Sequence, residues 1–356
     1  MRTHSFALAG GLALLVALPL AWFAARQKPL VLATTHGNAE TSDYKISGPY
    51  THKNLSIFLL HAKDAKAGAA RASGKTFLTL AEAITQKKVV VYETKTVNTL
   101  MIENLSDEEV FVQSGDIVKG GQQDRMLATD LILPGRSGKV SISAFCVEQG
   151  RWSKRGAETV TQFSSANDRA ATKELKLAAA RTRSQGEVWN EVSKAQAKLS
   201  ANVGASVSAP VSASSLQLSL ENERVRATTD EYVKALSGIV AKHPDAVGYA
   251  FAINGHVNSA DVYSSPALFR KMWPGLLKAS AVEAVAELKG GKAAASAGAD
   301  DVRSFIEESE SGAAADKDVS SRVQLRTRET QSNIVFETRD RAGKSAWVHR
   351  SYINKK

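Results

Sequence analysis

Short apolar runs alternate with turn residues through the first part of the chain. Between Asn54 and Val147 these runs are rich in Val, Ile and Phe and recur at roughly ten-residue intervals. Short strands at this spacing are typical of antiparallel sheets that fold as a sandwich, an open barrel or a jelly-roll-like pair. The pattern therefore predicts a β-rich part over residues 46–160.

The middle of the chain changes in composition and in period. From Ala166 to Leu199 it is rich in Ala, Lys, Arg, Glu and Gln, which favour helix. Ser200–Ser219 is rich in Ser and Ala and predicts a loop, and Thr228–Lys242 returns to a helical pattern. We therefore expect a helical insertion over residues 166–242. Its apolar stripe has the helical steps of three and four, at Val188, Val192, Ala195 and Leu199.

A second mixed part follows over residues 243–356. Two apolar runs flank Asn254-Gly255, a dipeptide typical of a two-residue hairpin turn. Ser265 followed by Pro266 is a typical helix start, and Pro274 predicts a bend in that helix. The last residues predict a strand and a hairpin. Together the three parts predict one large α+β domain over residues 46–356.

The N-terminal block is apolar on all sides. Phe6–Ala25 carries no charge, follows Arg2 and is long enough to cross a bilayer core as a helix. The same pattern is typical of a long signal peptide, with small residues for cleavage near Ala33. A buried core helix is disfavoured by the position at the extreme N-terminus. We therefore expect export: residues 1–33 form an apolar helix that is either a cleaved signal peptide or an anchor, through residues 6–25, of a periplasmic domain.

Charge is unevenly distributed along the chain. The whole sequence has a net charge of +10, and Arg151–Gly186 holds eight basic against three acidic residues, half of that excess. A basic helical face suits an anionic small molecule, an acidic envelope protein or a membrane surface, although a solvated helix gives the same pattern. Nucleic acid is not expected, because no reading motif or interleaved aromatic residue accompanies the charge.

The single cysteine excludes an intramolecular disulfide framework and any site with several cysteine ligands. Cys146 alternates with Val140, Ile142 and Ala144 along one strand, which predicts a core position beside Glu148 rather than a nucleophile. His256, Asp261 and His349 are a weak candidate for a metal site, because no ligand spacing links them. We predict no metal and no cofactor. The chain also lacks the GxSxG, Walker A, HExxH and GxGxxG motifs.

Two polar motifs stand at neighbouring strand ends. The first, residues 115–125, combines cationic side chains with two adjacent glycines, whose amides can approach a ligand closely. The second, residues 148–152, contains a carboxylate, a guanidinium and an indole. Because the motifs flank one antiparallel strand excursion, we expect them to converge and to bind an anionic ligand. The predicted ligand-binding residues are Lys119, Gly120, Gly121, Gln122, Gln123, Arg125, Glu148, Arg151 and Trp152.

The same motifs carry a resemblance to a known family. GDIVKGGQQDR at 115–125 and CVEQGRW at 146–152, with later runs such as WVHRSY, resemble the ARG-and-rhodanese-phosphatase-superfamily-associated protein domain family. The resemblance covers roughly Ile46 to Lys356. The family is named for neighbouring genes, an ADP-ribosylglycohydrolase and a rhodanese-like phosphatase. The resemblance therefore implies a link to ADP-ribose or related phosphorylated nucleotides, and it implies no established reaction.

Three hypotheses of function follow from these observations. The first is an exported binding module that accommodates an anionic or ADP-ribose-like ligand at the two motifs. The second is a structural or scaffolding protein of the cell envelope, in which the two motifs are a polar hairpin loop and a salt-bridged strand end. The third is a hydrolase that uses Glu148 or Asp124 as its general base.

Overall fold

The described residues of the computed structural model are 39–41, 43–63, 76–169, 172–288, 296–343 and 346–356. All of them belong to one compact unit, His36–Lys356. The predicted apolar helix over residues 1–33, and the cleavage or anchoring that depends on it, lie outside the described residues. Among the residues that are described, none of the helices has the length and apolar character needed to span a membrane.

Six strands of the first part close into a barrel in the order β11-β6-β5-β12-β8-β9. Burial alternates along β6, as expected of a strand with one face in the barrel core. The inward residues include Val91, Ile102 and Val118, which share one apolar cluster. The strands are β5 (Val89–Thr96), β6 (Thr99–Asn104), β8 (Asp116–Gly120), β9 (Arg125–Leu127), β11 (Gly138–Cys146) and β12 (Gln162–Arg169).

A small sheet and a short helix stand beside the barrel. The sheet has the order β10-β7-β4, with β4 at Leu78–Thr79, β7 at Val110–Val112 and β10 at Leu131–Leu133. Helix α1 (Leu80–Thr85) starts at a capping box, in which Thr79 accepts from the Glu82 amide and the Glu82 carboxylate accepts from the Thr79 amide. Two of the amides at its first turn are therefore satisfied locally.

The second sheet has nine strands, all paired antiparallel, in the order β1-β2-β3-β13-β14-β18-β17-β16-β15. Its central strand β13 is buried at every position because helices cover both faces. The strands are β1 (Ala39–Glu40), β2 (Tyr44–His52), β3 (Leu55–Ala62), β13 (Ala246–Ile253), β14 (His256–Tyr263), β15 (Ala313–Asp318), β16 (Val323–Glu329), β17 (Asn333–Asp340) and β18 (Ala346–Asn354).

Helices connect the barrel to this sheet and cover it. Residues of α6, such as Phe269, pack with Tyr249 on one face, and residues of α7, such as Phe305, pack with Phe58 on the other. The helices are α2 (Lys173–Leu177), which continues into a π-helical turn (Ala178–Thr182), α3 (Gln185–Val203), α4 (Leu216–Leu220), α5 (Glu223–Leu236), a 3-10 turn (Ser237–Lys242), α6 (Pro266–Ala286) and α7 (Ala299–Glu310).

The α+β class with large antiparallel sheets is confirmed. The sheet also joins parts that the sequence pattern treats separately: β2 pairs with β3, and β3 pairs with β13 of the last part. Long-range pairing of this kind is not visible in local alternation. The Asn254-Gly255 hairpin is confirmed, with both residues at positive φ. The helix that begins at Pro266 is also confirmed, and it runs on through Pro274.

The boundaries of the helical middle differ from the predicted ones. Residues from Ala166 to Arg169 extend β12, because pairing of Arg169 with Asp116 in the barrel overrides their helical composition. The predicted loop 200–219 starts later and ends earlier, since α3 continues to Val203 and α4 starts at Leu216. The apolar stripe from Val188 to Leu199 is buried, as predicted.

Candidate functional site

The two polar motifs meet at the turn between β8 and β9. The Arg151 guanidinium donates to the carbonyl oxygens of Gly120 and Gly121, at 3.3 and 3.2 Å, and pairs with Glu148 at 2.7 Å. The Asp124 amide donates to the Glu148 carboxylate at 3.1 Å. The expected convergence of the motifs is therefore confirmed.

A buried arginine that the sequence interpretation missed joins the two carboxylates. Asp124 and Glu148 have no exposed surface, and Arg155 donates to them at 2.9 and 3.2 Å. Ser215 adds a bond to Asp124 at 3.1 Å, so every carboxylate oxygen has a protein donor. Burial and the charge of Glu148 raise the pKa of Asp124. Burial opposes ionisation of Glu148 too, but the hydrogen bonds from Arg151 and Ser212 prevail and lower its pKa.

Protein acceptors already use the groups that were expected to hold an anion. The Gly120 amide donates to Asp124 at 3.0 Å, and the Gly121 amide donates to the Thr159 carbonyl at 3.0 Å. Lys119 forms a bidentate pair with Glu221 at 2.6 and 2.7 Å. These contacts fix the turn, and they leave its donors facing the protein.

Gly121 is required by packing as well as by its backbone. It has a φ of +56°, and a Cβ there would lie 2.3 Å from the Cζ of Phe163. The backbone amide of Gln122 donates to the Glu93 carboxylate at 3.2 Å, and the Gln123 residue is 3% exposed. Gly121 therefore allows the close approach of the Phe163 ring.

Trp152 lies at the surface over the buried end of the motif. It is 45% exposed, and its ring lies 5.5 Å from the guanidinium carbon of Arg125, which is fully buried. Arg125 pairs opposite Cys146 in the β9–β11 ladder. Burial raises the pKa of the Cys146 thiol to about 11, and the predicted core position of this cysteine is confirmed.

A separate cavity of about 440 Å³ lies between the barrel and the nine-stranded sheet. Its walls come from β11, from the loops around β7 to β10, from the π-helical turn and from β14 to β18. None of the nine predicted ligand-binding residues is among the described residues that line it. We call this space the His349 cavity, after the buried histidine on its wall.

His349 lies between two buried carboxylates. Its Nδ1 is 2.7 Å from Asp130 and its Nε2 is 3.0 Å from Asp261. Burial alone would lower the pKa of His349, but these two carboxylates raise it to about 9. The imidazole is therefore charged at neutral pH and donates to both aspartates. In return, its charge helps to lower the pKa of each of them despite their burial.

A second ring of contacts fixes the three charged groups. Thr338 and the Ser114 amide donate to Asp130 at 2.6 and 2.8 Å. The Tyr263 hydroxyl donates to the Gln113 side chain at 2.7 Å, and the amide nitrogen of Gln113 lies 3.2 Å from His349. The Tyr263 ring also stacks on the imidazole with centroids 4.8 Å apart.

One oxygen of this network lacks a partner in the described structure. Oδ2 of Asp261 is fully buried and has no hydrogen-bond donor, whereas Oδ1 accepts from His349. Asp261 lines the His349 cavity. A buried carboxylate oxygen without a donor is costly, and this atom is the unsatisfied acceptor of the network.

Three cations line the same cavity: Lys176, Arg183 and Lys317. In the described part of the chain, their side chains make no hydrogen bond and no ion pair. The charge of Lys176 contributes to the lowered pKa of Asp261. A second cavity, of about 620 Å³, adjoins the first, and Arg183 and Lys317 line both.

The sequence interpretation found part of this site. It paired Asp261 and His349 with His256, and the structure brings the first two together while His256 stays exposed at a hairpin. Among the described residues no three His, Cys, Asp or Glu side chains are grouped to hold a metal ion. The signal that was available is a charged residue between apolar neighbours in a buried strand, as at Asp261. Lys176 and Arg183 belong to the basic stretch that was expected to suit an anionic partner. Residues missed entirely are Gln113, Asp130, Lys317 and Thr338.

A family model, ARPP-1, the ARG and Rhodanese-Phosphatase-superfamily-associated Protein domain, matches residues 43–353, nearly the whole chain. The chain belongs to this family, and the resemblance of its motifs is confirmed. No curated protein and no solved structure matches the chain.

Proposed function

From its place in this family and the geometry of the His349 cavity, we propose that the protein binds an anionic, nucleotide-like small molecule in that cavity. The observation that carries the proposal is that Oδ2 of Asp261 has no donor, and three lining cations have no ion pair, among the residues that the structure describes. A volume of about 440 Å³ lies within the range of small-molecule sites. The proposal moves the binding site away from the two polar motifs.

Asp261 supports a ligand that carries a hydrogen-bond donor. Burial opposes ionisation of Asp261, but Lys176 and His349 prevail and lower its pKa, so its free oxygen accepts but cannot donate. A ligand hydroxyl or N–H would satisfy it, as the hydroxyls of a sugar do. Asp130 and the stacked Tyr263 ring hold His349 in place, so the acceptor is fixed before the ligand arrives.

The cations support a ligand that also carries negative charge. Arg183 and Lys317 line both cavities and therefore stand where the two spaces join. A ligand with a phosphate or diphosphate between two uncharged groups matches this arrangement. Its hydroxyls would lie near Asp261, its phosphate at the junction of the two cavities, and its second uncharged group in the second cavity. Leu325 and Phe336, which are shared by both cavities, offer that second group apolar contact.

The polar motifs support a structural role better than a second ligand site. Asp124, Glu148 and Arg155 satisfy one another in the protein interior, and the Gly120 and Gly121 amides face protein acceptors. Both oxygens of each carboxylate already accept from protein donors, so neither carboxylate is free to take a proton from a reacting group. The ligand-binding role of the motif residues and the hydrolase alternative stay predictions. We rank both of them below ligand binding in the His349 cavity.

Export remains part of the proposal, on the strength of the apolar block at Phe6–Ala25 alone. Fractionation of cells that express the full chain, with N-terminal sequencing of the mature protein, distinguishes a cleaved signal peptide from a retained anchor. Recovery of the unprocessed chain in the cytoplasm would exclude both. A scaffolding role in the envelope stays the alternative if the cavity binds nothing.

Isothermal titration calorimetry tests the binding proposal directly. The ligands are ADP-ribose, AMP, ribose 5-phosphate and pyrophosphate, and we expect the tightest binding from a molecule with both phosphate and free hydroxyls. Asp261→Asn and the double variant Arg183→Ala/Lys317→Ala should each weaken binding at least tenfold. Arg226→Ala, an exposed cation on α5, is the matched control. Absence of heat from all four ligands with folded protein would exclude the proposal.

A further inference from the structure

A serine, a histidine and an aspartate form a hydrogen-bonded chain at one edge of the helix-covered sheet. The Ser47 hydroxyl lies 2.8 Å from Nε2 of His61, and Nδ1 of His61 lies 2.7 Å from Asp245. The three residues come from β2, from β3 and from the segment before β13. None of them lines the His349 cavity as described, so this cluster is independent of the proposed ligand site.

Strand geometry places the serine and the histidine on the same face. Ile46 and Leu60 pack in the cluster on the α7 side of the sheet, so their neighbours Ser47 and His61 point to the opposite face. Ser47 pairs with Leu59, and His61 pairs with Lys45. The two side chains are therefore diagonal neighbours on adjacent strands, within hydrogen-bond reach.

A β-bulge directly follows the serine. The register shifts between Ser47 and Tyr50, and Gly48 has a φ of +119°. A Cβ at Gly48 would lie 2.8 Å from the Ile57 carbonyl oxygen, so only glycine fits here. The bulge interrupts the ladder next to Ser47, and bulges are often found beside functional groups.

The order of the three groups matches the activation of a hydroxyl nucleophile. With its proton on Nδ1, the His61 ring donates to the Asp245 carboxylate, and its Nε2 accepts the Ser47 proton. His243 packs edge-on against His61 at 5.6 Å and is itself held by the Tyr50 hydroxyl at 2.7 Å. The His61 side chain is 13% exposed, so the ring is shielded while the hydroxyl stays half-buried at the sheet edge.

We propose that Ser47 is a nucleophile for acyl transfer from small, unhindered esters, with His61 as the base and Asp245 as the residue that orients it. Ser47 Oγ forms a bond to the ester carbonyl carbon while its proton passes to Nε2 of His61. The bond from that carbon to the alcohol oxygen breaks, and His61 returns the proton to the departing alcohol. Water then attacks the acyl-serine in the same way and releases the acid.

A fluorophosphonate probe tests the nucleophile without a known substrate. Attack of Ser47 forms an O–P bond and expels fluoride, and mass spectrometry of peptides locates the adduct. We expect labelling at Ser47 in the wild type, none at that position in Ser47→Ala, and labelling at least about 10²-fold slower in His61→Gln. Hydrolysis of p-nitrophenyl acetate by the same proteins should follow the same order.

The hydroxyl pair of Ser56 and Thr51 on the same two strands gives the control, because it is hydrogen-bonded at 2.9 Å without a histidine. Ser56→Ala should keep wild-type labelling of Ser47. Circular dichroism and thermal melting check that each variant is folded, and Asp245→Asn should slow labelling while the serine and the imidazole remain. Labelling spread over many serines, or an undiminished rate in folded His61→Gln, would overturn the proposal whatever the His349 cavity binds.

Discussion

His349 and Asp261 share one hydrogen bond of 3.0 Å, and the second oxygen of that aspartate has no donor in the described structure. Because Asp130 holds the other side of the ring at 2.7 Å, the imidazole is charged and cannot turn to accept a proton from a ligand. Asp261 is thus an acceptor whose orientation His349 fixes. The arrangement favours recognition of a donor over transfer of a proton.

Loss of the Asp261 charge should lower the pKa of His349. In Asp261→Asn the imidazole keeps Asp130 as its anionic partner but loses one of the two carboxylates that raise its pKa to about 9. We expect the midpoint of the His349 ring protons, followed by NMR titration, to fall by about one unit or more. Asp245→Asn changes a carboxylate bonded to His61 instead, and it should leave the His349 midpoint where it is.

The stability of the protein should fall between pH 7.5 and 9 because of His349. A histidine whose folded pKa is raised from 6.5 to about 9 stabilises the native state fully below pH 6.5 and loses this contribution as pH rises towards 9. The native state binds about one more proton than the unfolded state over most of this window. The free energy of unfolding should therefore fall by about 1.5 kcal/mol between pH 7.5 and 9. Burial also raises the pKa of Glu283 to about 7, so the pH window begins at 7.5, above the pKa of that carboxyl.

Denaturant titrations of the wild type and of His349→Gln at several pH values measure this effect. The variant should be less stable at every pH, since Asp130 and Asp261 lose their shared cation. Its free energy of unfolding should nevertheless vary less between pH 7.5 and 9 than that of the wild type. Equal slopes for the two proteins in this window would show that His349 is not the titrating group.

The buried charges of the two motifs should matter for stability more than for binding. Glu148→Ala removes the nearest anionic partner of Arg151 and one partner of Arg155 in the interior, and breaking a buried pair typically costs about 3–5 kcal/mol. Ligand affinity measured by calorimetry on the folded fraction should be unchanged. Asp107→Asn, in the exposed pair with Arg136, should leave the unfolding midpoint unchanged. A stable Glu148→Ala protein that has lost ligand binding would return the site to the motifs.

Local signals made several elements predictable from the sequence. The Asn254-Gly255 turn and the Ser265-Pro266 helix start depend only on residues within a few positions, and both are confirmed. Pairing of β3 with β13 joins Phe58 to Ala250 across the whole barrel and helical middle. Strand alternation indicates which face of a strand is buried, but it does not indicate which strand lies beside it. The β3–β13 pairing could therefore not be predicted from the sequence pattern.

The candidate site was only half predictable for the same reason. Asp261 and His349 each interrupt an apolar strand with a charge, which is visible in the sequence. Their partner Asp130 lies in the turn between β9 and β10, and nothing in its neighbourhood distinguishes it from a loop residue. The GGQQDR motif attracted attention because its residues are polar and dense, yet a buried polar network that satisfies itself has the same composition as a ligand site.

Gly121 offers a test of why the motif contains adjacent glycines. Gly121→Ala places a Cβ 2.3 Å from Phe163 at a φ of +56°, so the variant combines a steric clash with backbone strain. Gly156 has a φ of +53° and nothing within 4 Å of an added Cβ, so Gly156→Ala carries the backbone strain alone. We expect about 1 kcal/mol for the second variant and about 3 kcal/mol or more for the first, measured as free energies of unfolding. If the two variants lose equal free energy of unfolding and only Gly121→Ala fails to bind ligand, Gly121 serves a ligand. If Gly121→Ala loses more free energy of unfolding and still binds ligand, Gly121 serves the packing of the Phe163 ring.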